Sequence, residues 1–237
     1  MERTLTSKLL HDLVIGNEPN TKTRKRACIV TRQMAEFARI KYDPTRYAGN
    51  YSPDSVDPRT IPTDSTIVEY WEKLSNPGWK WVFGILATYG LRPHEAFRLD
   101  LEVLRAGDSI IQVQKNTKTG YRQVWAYHPE WFEAFHLSSI HLPPIQLDRP
   151  NSAIGRSASH YFRDFGFPFR LMDLRHRWAI RTLEYGLDYQ VAARMMGHGY
   201  QVHERIYHRW IDRKVLQSAY DRSLMNHQNP PLPNSPG

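Results

Sequence analysis

Five residues able to bind an anion, move protons or form a covalent bond stand in four separated segments. Arg92 lies in Gly90-Leu-Arg-Pro-His-Glu95, Lys118 in Lys-Thr-Gly, Arg175 in Asp173-Leu-Arg-His176, and Gly197-His198 precedes Tyr207. A guanidinium offers a planar fork of donors that pairs with two oxygens of one oxyanion. Imidazole and ammonium groups transfer protons, and a phenol becomes a covalent nucleophile once its proton is drawn off. Taken singly, each is a common surface charge, core histidine or packing residue, so any weight comes from their joint order. His198, His203 and His208 do not read as a metal site, because five-residue intervals spread them around a helix where a zinc motif uses four. Nor is there a carboxylate cluster for a two-metal nuclease.

The apolar pattern predicts a scaffold that is mainly α with a small antiparallel β-sheet (α+β). Within residues 1–42, Leu9, Leu10, Leu13 and Val14 mark one helical stripe, and Ile29, Met34, Phe37 and Ile40 a second. Lys22, Arg24, Lys25 and Arg26 lie between them, either as phosphate contacts or as a solvated helix start. Four prolines and Gly49 over residues 43–63 predict a linker. Residues 64–225 form the expected main domain. Thr66 and Glu69 have capping-box spacing, and Ile67, Tyr70, Trp71 and Leu74 share a helical face. A very apolar helix follows Pro77-Gly78 and should stop at Gly90. Pro93 should open another, holding His94 to Leu99, whose free N–H groups would reinforce Arg92 toward an anion.

Alternation over Ile111 to Gln114 and Val124 to Tyr127 predicts a hairpin with Lys118 at its turn. Tyr121, Trp125 and Tyr127 are expected to pack in the core, since half of an alternating strand faces inward. Helical patterns resume beyond Pro144, break at Gly166-Phe-Pro168 and run to about Leu224. Residues 226–237 carry four prolines and read as a mobile tail.

Composition bounds the partners. The 237-residue chain carries a net charge of +8 and a pI near 9.6. That field attracts polyanions, although charge alone does not separate a nucleic-acid binder from a merely basic protein. Cys28 is the single cysteine, so no internal disulfide forms and a reducing cytosol fits best. Met1 to Gly16 lacks the apolar core of a signal peptide, and the run Trp81 to Ala87 is far too short to cross a bilayer. The expectation is a protein not integral to the membrane.

In their order and settings, these fragments resemble the catalytic domain of the tyrosine recombinases and phage integrases, over roughly residues 64–216. The most specific stretch runs from Leu171 to Tyr207, with His198 following Arg175 by 23 positions and Tyr207 following His198 by nine. The resemblance implies a recombinase catalytic-domain fold preceded by a partial, helical DNA-clamping segment. It implies double-stranded DNA as substrate, no cofactor, a cytoplasmic, nucleoid-associated location, and a tetramer on DNA. Val215 to Leu224 would dock on a neighbouring protomer, with packing on its own domain as the alternative.

The resemblance also implies roles. Arg92 and Arg175 would bind the non-bridging oxygens of the scissile phosphate, which His198 would hydrogen-bond. Tyr207 would attack phosphorus, giving a 3′-phosphotyrosine that another 5′-hydroxyl can reverse, with Arg175 and His198 favouring the phenolate. Lys118 would protonate the departing 5′-oxygen. Glu95 would cap the helix or orient Arg92. Met172 departs from the family's His or Lys three positions before the second arginine, which predicts slower cleavage. His176, one residue beyond Arg175, faces another side of the helix and is expected to make a structural hydrogen bond. The alternatives are a degenerate DNA-binding homologue and a monomeric relaxing enzyme like type IB topoisomerases.

Overall fold

Threonines open the two helices of the first unit. Thr6 accepts the Leu9 N–H to cap α1 (Ser7–Ile15), and Thr21 accepts the Arg24 N–H to cap α2 (Lys22–Phe37). The structure, a computed structural model, describes residues 4–52, 61–117, 120–207 and 213–226. It divides into two compact units, Met1–Arg59 and Thr60–Gly237.

In the first unit α1 packs on α2, burying Leu10 and Val14 of the first stripe, while Leu9 is half-buried and Leu13 is exposed. The second stripe is different. Ile29, Met34 and Phe37 are exposed, Phe37 at 93%, while Arg24, Cys28, Thr31 and Ala35 face inward. Small side chains at 28, 31 and 35 let the helices approach closely, which the bulkier set would prevent. Residues 43–52, expected as linker, fold back within this unit. A 3-10 turn spans Thr45–Tyr47, the rings of Tyr47 and His11 meet edge-on at 4.8 Å, and the Asn50 N–H donates to Asn20 Oδ1 at 3.0 Å.

The second unit is built around one helix. Asn76 caps α4 (Pro77–Tyr89), Pro77 fills its first turn, and every residue from Gly78 to Tyr89 except Lys80 is buried. A helix apolar all round must be wrapped by others. α3 (Asp64–Lys73), α6 (Trp131–Ala134) and α8 (Leu171–Glu184) pack against it. Aromatic rings fill the gaps: Trp79 stacks on Tyr161 at 4.5 Å, and Phe83 meets Phe167 edge-on at 5.2 Å. Gly90 ends α4 at φ 61°, and a Cβ there would lie 2.6 Å from the Trp178 side chain. Glycine is thus required twice over, by conformation and by close approach.

The helix expected over His94 to Leu99 is only a 3-10 turn, Glu95–Phe97. The chain beyond it is drawn into extended pairing: Leu99 bridges Val113, and the Gln114 N–H donates to Arg98 O at 2.8 Å. α5 (Leu101–Arg105) then leads to the hairpin of β1 (Ile111–Val113) and β2 (Arg122–Val124), paired antiparallel with Ile111 opposite Val124. The second strand therefore begins two residues earlier than the alternation suggested. Lys118, expected at the hairpin turn, lies outside the described residues. The unit closes with α7 (Asn151–Asp164), α8, α9 (Tyr189–Met196), α10 (Tyr200–Tyr207) and α11 (Arg213–Asn226), of which α9 and α11 pack on α8. Among the described residues no helix is long and apolar enough to cross a membrane.

Candidate active site

The C-terminal end of α9 organises the site. Gly197 caps that helix in the left-handed region, φ 65°, and the carbonyls of Met195, Met196 and Gly197 each receive one guanidinium. Arg122 Nε donates to Met195 O at 2.7 Å, Arg175 Nη2 to Met196 O, and Arg92 Nη2 to Gly197 O at 3.2 Å. Carbonyls at a helix C-terminus carry partial negative charge, which offsets part of the cost of gathering three cations there. Arg175 also donates to Gly90 O at 2.8 Å, which ties α8 to the end of α4. Burial first, and then the charge of Arg92, lower its pKa to about 10. It stays protonated at neutral pH.

Glu95 holds two of these arginines. Its fully buried carboxylate accepts from the Arg92 N–H at 2.8 Å, Arg92 Nη1 at 2.9 Å and Arg122 Nη2 at 2.7 Å. Burial alone would raise its pKa; the Arg122 hydrogen bond and charge, with Arg175 and the Arg92 amide, outweigh this and bring it to about 2. The Arg92 amide, expected to be free for an anion, is thus occupied by Glu95.

His198 follows the glycine cap immediately. Its Nε2 lies 3.3 Å from Nδ1 of His203, a buried residue of α10 whose ring sits 4.7 Å from that of Tyr207. Burial, then the charge of Arg175, brings the His198 pKa to about 3 and that of His203 to about 4. Both imidazoles are neutral at pH 7, so His198 adds no positive charge beside Tyr207. Tyr207 ends α10 only 2% exposed, its hydroxyl 3.2 Å from His176 Nδ1. Burial pushes its pKa up to about 12 against the lowering charges of Arg175 and Arg92.

The structure therefore brings together Arg92, Arg175, His198 and Tyr207, with Glu95 and His176 in direct contact with two of them. Met172 is exposed on the first turn of α8. In the first unit Lys22, Lys25 and Arg26 are exposed, but Arg24 is not. Its guanidinium turns inward to the carbonyls of Asn17 and Ile15 at the end of α1, which corrects the expectation of an outward cation at 24. Tyr127 packs edge-on against Trp178 at 5.4 Å as expected. Tyr121 and Trp125 do not join the core: with Gln123 and Arg194 they line an open cleft of about 570 Å³ that reaches Gly197 and His198.

The sequence expectations do not include Arg122, and they weigh His203 only as a metal ligand. A signal existed for the first: Arg122 sits at the inward phase of β2 beside Val124, and a charged residue there requires a buried partner. For His203 the signal was its place one turn before Tyr207 on α10.

Residues 1–48 match the family described as the XisA/XisC excisase second domain. Two curated proteins of Nostoc sp. (strain PCC 7120 / SAG 25.82 / UTEX 2576) are similar. Excisase C is 37% identical over 167 residues, covering 65% of this chain and 32% of its own length. Excisase A is 32% identical over 197 residues, covering 70% and 42%. The chain thus spans less than half the length of either relative. Among solved structures, XerA recombinase superposes with a TM-score of 0.51 at 15% identity, covering 92% of this chain and 90% of its own. The Tn1549 transposon integrase in complex with circular intermediate DNA gives 0.52 at 15% identity, covering 92% and 83%. The chain has the tyrosine recombinase fold. Within that fold, the helix-rich second unit with its two-stranded sheet corresponds to the architecture expected from the sequence, and the four converging side chains occupy its α4–α8–α9–α10 junction.

Proposed function

We propose that the chain is part of a site-specific recombinase that breaks and rejoins double-stranded DNA through a 3′-phosphotyrosyl intermediate. The observation that carries this reading is the set of guanidiniums held on successive carbonyls at the end of α9, beside His198 and Tyr207. A scissile phosphate entering there meets Arg92 and Arg175, whose paired donors match the charge that builds on its non-bridging oxygens. Glu95 fixes the orientation of Arg92, and neutral His198 donates one further hydrogen bond. Tyr207 attacks phosphorus, and Lys118 protonates the 5′-oxygen as the P–O bond breaks. The ester retains the free energy of the phosphodiester, so a 5′-hydroxyl can reverse the step without ATP. The names of the two relatives favour excision as the task. Residues 64–225 would carry the chemistry and residues 1–42 a DNA-clamping surface through Lys22, Lys25 and Arg26. In the described chain α11 packs on α8 of its own unit. Segment exchange in a tetramer would require it to leave.

The test is adduct capture. The protein is incubated with nicked suicide duplexes of randomised sequence, and covalent complexes are separated on denaturing gels. Wild-type protein should yield an adduct that Tyr207→Phe abolishes; an adduct that persists in that variant removes Tyr207 from the role. A second reading, a DNA-binding homologue without full activity, draws on the burial of Tyr207 and on Met172. Retention of duplex with no adduct from any member of the pool would select it.

A further inference from the structure

Tyr207 is a phenol at neutral pH, so its attack on phosphorus must be accompanied by loss of a proton to some acceptor. Three imidazoles of the described residues lie around it. His198 is engaged through Nε2 with Nδ1 of His203, and the buried Nε2 of His203 has no hydrogen-bond partner among the described residues. His176 meets the Tyr207 hydroxyl, with Nδ1 3.2 Å from Oη and ring centroids 5.7 Å apart. Its place on α8 explains how. His176 is four residues after Met172, hence one turn along the same face of the helix. Met172 can accept no proton.

We propose that His176 is the general base of the strand-cleavage step, serving from one turn further along α8 the need that Met172 cannot meet. This rests on the recombinase reading above and names a catalytic residue that reading lacks. In the tautomer that carries its N–H on Nε2, the imidazole accepts the phenolic proton at Nδ1 as the Tyr207 Oη–phosphorus bond forms. The P–O5′ bond breaks with its electron pair on O5′, which takes a proton from Lys118. In rejoining, the 5′-hydroxyl attacks and gives its proton back to the neutral Lys118 amine, the Oη–phosphorus bond breaks, and the imidazolium returns its proton to the phenolate.

The experiment compares wild type, His176→Ala and His176→Asn in the full chain, on a suicide duplex selected from the randomised pool by adduct capture. Asn keeps an acceptor near the position of Nδ1 but takes up no proton. Both variants are expected to retain the wild-type melting temperature and duplex affinity while forming adduct slower by about 10²- to 10⁴-fold, the usual reach of general acid–base catalysis. A duplex with sulfur replacing the bridging 5′-oxygen has a leaving group that needs no proton; it should restore Lys118→Ala and leave His176→Ala slow. Cleavage by His176→Ala within about threefold of wild type overturns the assignment, since general-base losses are far larger. So does full activity of His176→Asn, which would reduce His176 to a hydrogen-bond partner. Absence of any Tyr207-dependent adduct from wild type overturns the recombinase reading and this assignment together.

Discussion

Replacing Glu95 by Gln removes a carboxylate that pairs with both Arg92 and Arg122 while leaving the side chain's shape almost unchanged. The cost follows from two independent considerations. A carboxyl whose pKa falls from 4.5 to about 2 is stabilised in its ionised form by about 3 kcal/mol, at about 1.36 kcal/mol per unit. Because Glu95 is fully buried, solvent screening does not reduce that figure. Removing one partner of a buried ion pair costs about 3–5 kcal/mol by itself, since the remaining guanidiniums keep their desolvation and lose a full counter-charge. For a domain of this size, a loss of about 3 kcal/mol lowers the melting temperature by roughly 6–12 °C. The pH dependence has a fixed sign. A carboxyl with a depressed folded pKa contributes stability that is complete above its unfolded value of 4.5 and is lost as pH falls toward about 2. Urea titrations of wild type and Glu95→Gln across the acid range should therefore show a gap of about 3 kcal/mol at pH 7 that narrows below pH 4.5. Two results would refute the reasoning: a gap under about 0.5 kcal/mol at pH 7, the scale of an ordinary surface substitution, or a gap that does not change with pH. Adding Arg122→Met should recover part of the loss, because the buried cation that has lost its counter-charge, not the missing carboxylate, carries much of the penalty.

Asp64 joins α3 to α8 by accepting from Arg177 and from the fully buried Arg181, so Asp64→Ala should cost about 3–5 kcal/mol in urea unfolding. Arg163→Ala, which breaks only the exposed pair with Asp164, should stay within about 0.5 kcal/mol. Gly90→Ala forces a Cβ against Trp178 at positive φ and should destabilise by about 1–3 kcal/mol, with a shift in tryptophan emission that a remote change would not give. Replacing Lys22, Lys25 and Arg26 together by Gln should lower the slope of log affinity for duplex DNA against log salt by up to about 0.9 for each phosphate no longer neutralised. Arg24→Gln should leave that slope unchanged and instead reduce the stability of the first unit, by about 1.5–3 kcal/mol for each charged hydrogen bond removed.

What the sequence disclosed and what it concealed divide along one physical line. Features written in consecutive residues were legible: the all-apolar α4 with Pro77 at its start and Gly90 at its end, the alternating hairpin, and the break at Gly166. Features set by packing were not. The apolar stripe of α2 was assigned to its bulkiest residues, whereas close approach of α1 selected Cys28, Thr31 and Ala35. Arg24 carries a charge that any pattern places outside, yet the open carbonyls at the end of α1 draw it in. His176 shows the limit most clearly. Beside Arg175 it faces another side of the helix, and the hydrogen bond expected of it is present, but the sequence does not name Tyr207 as its partner. The relevant comparison is with Met172, one turn earlier on the same face, and with Tyr207, which arrives from α10 at a separation of 31 residues. A helical face fixes only the direction in which a side chain leaves its own helix. What it can do is decided by which group another element brings to meet it, and no spacing within α8 contains that information.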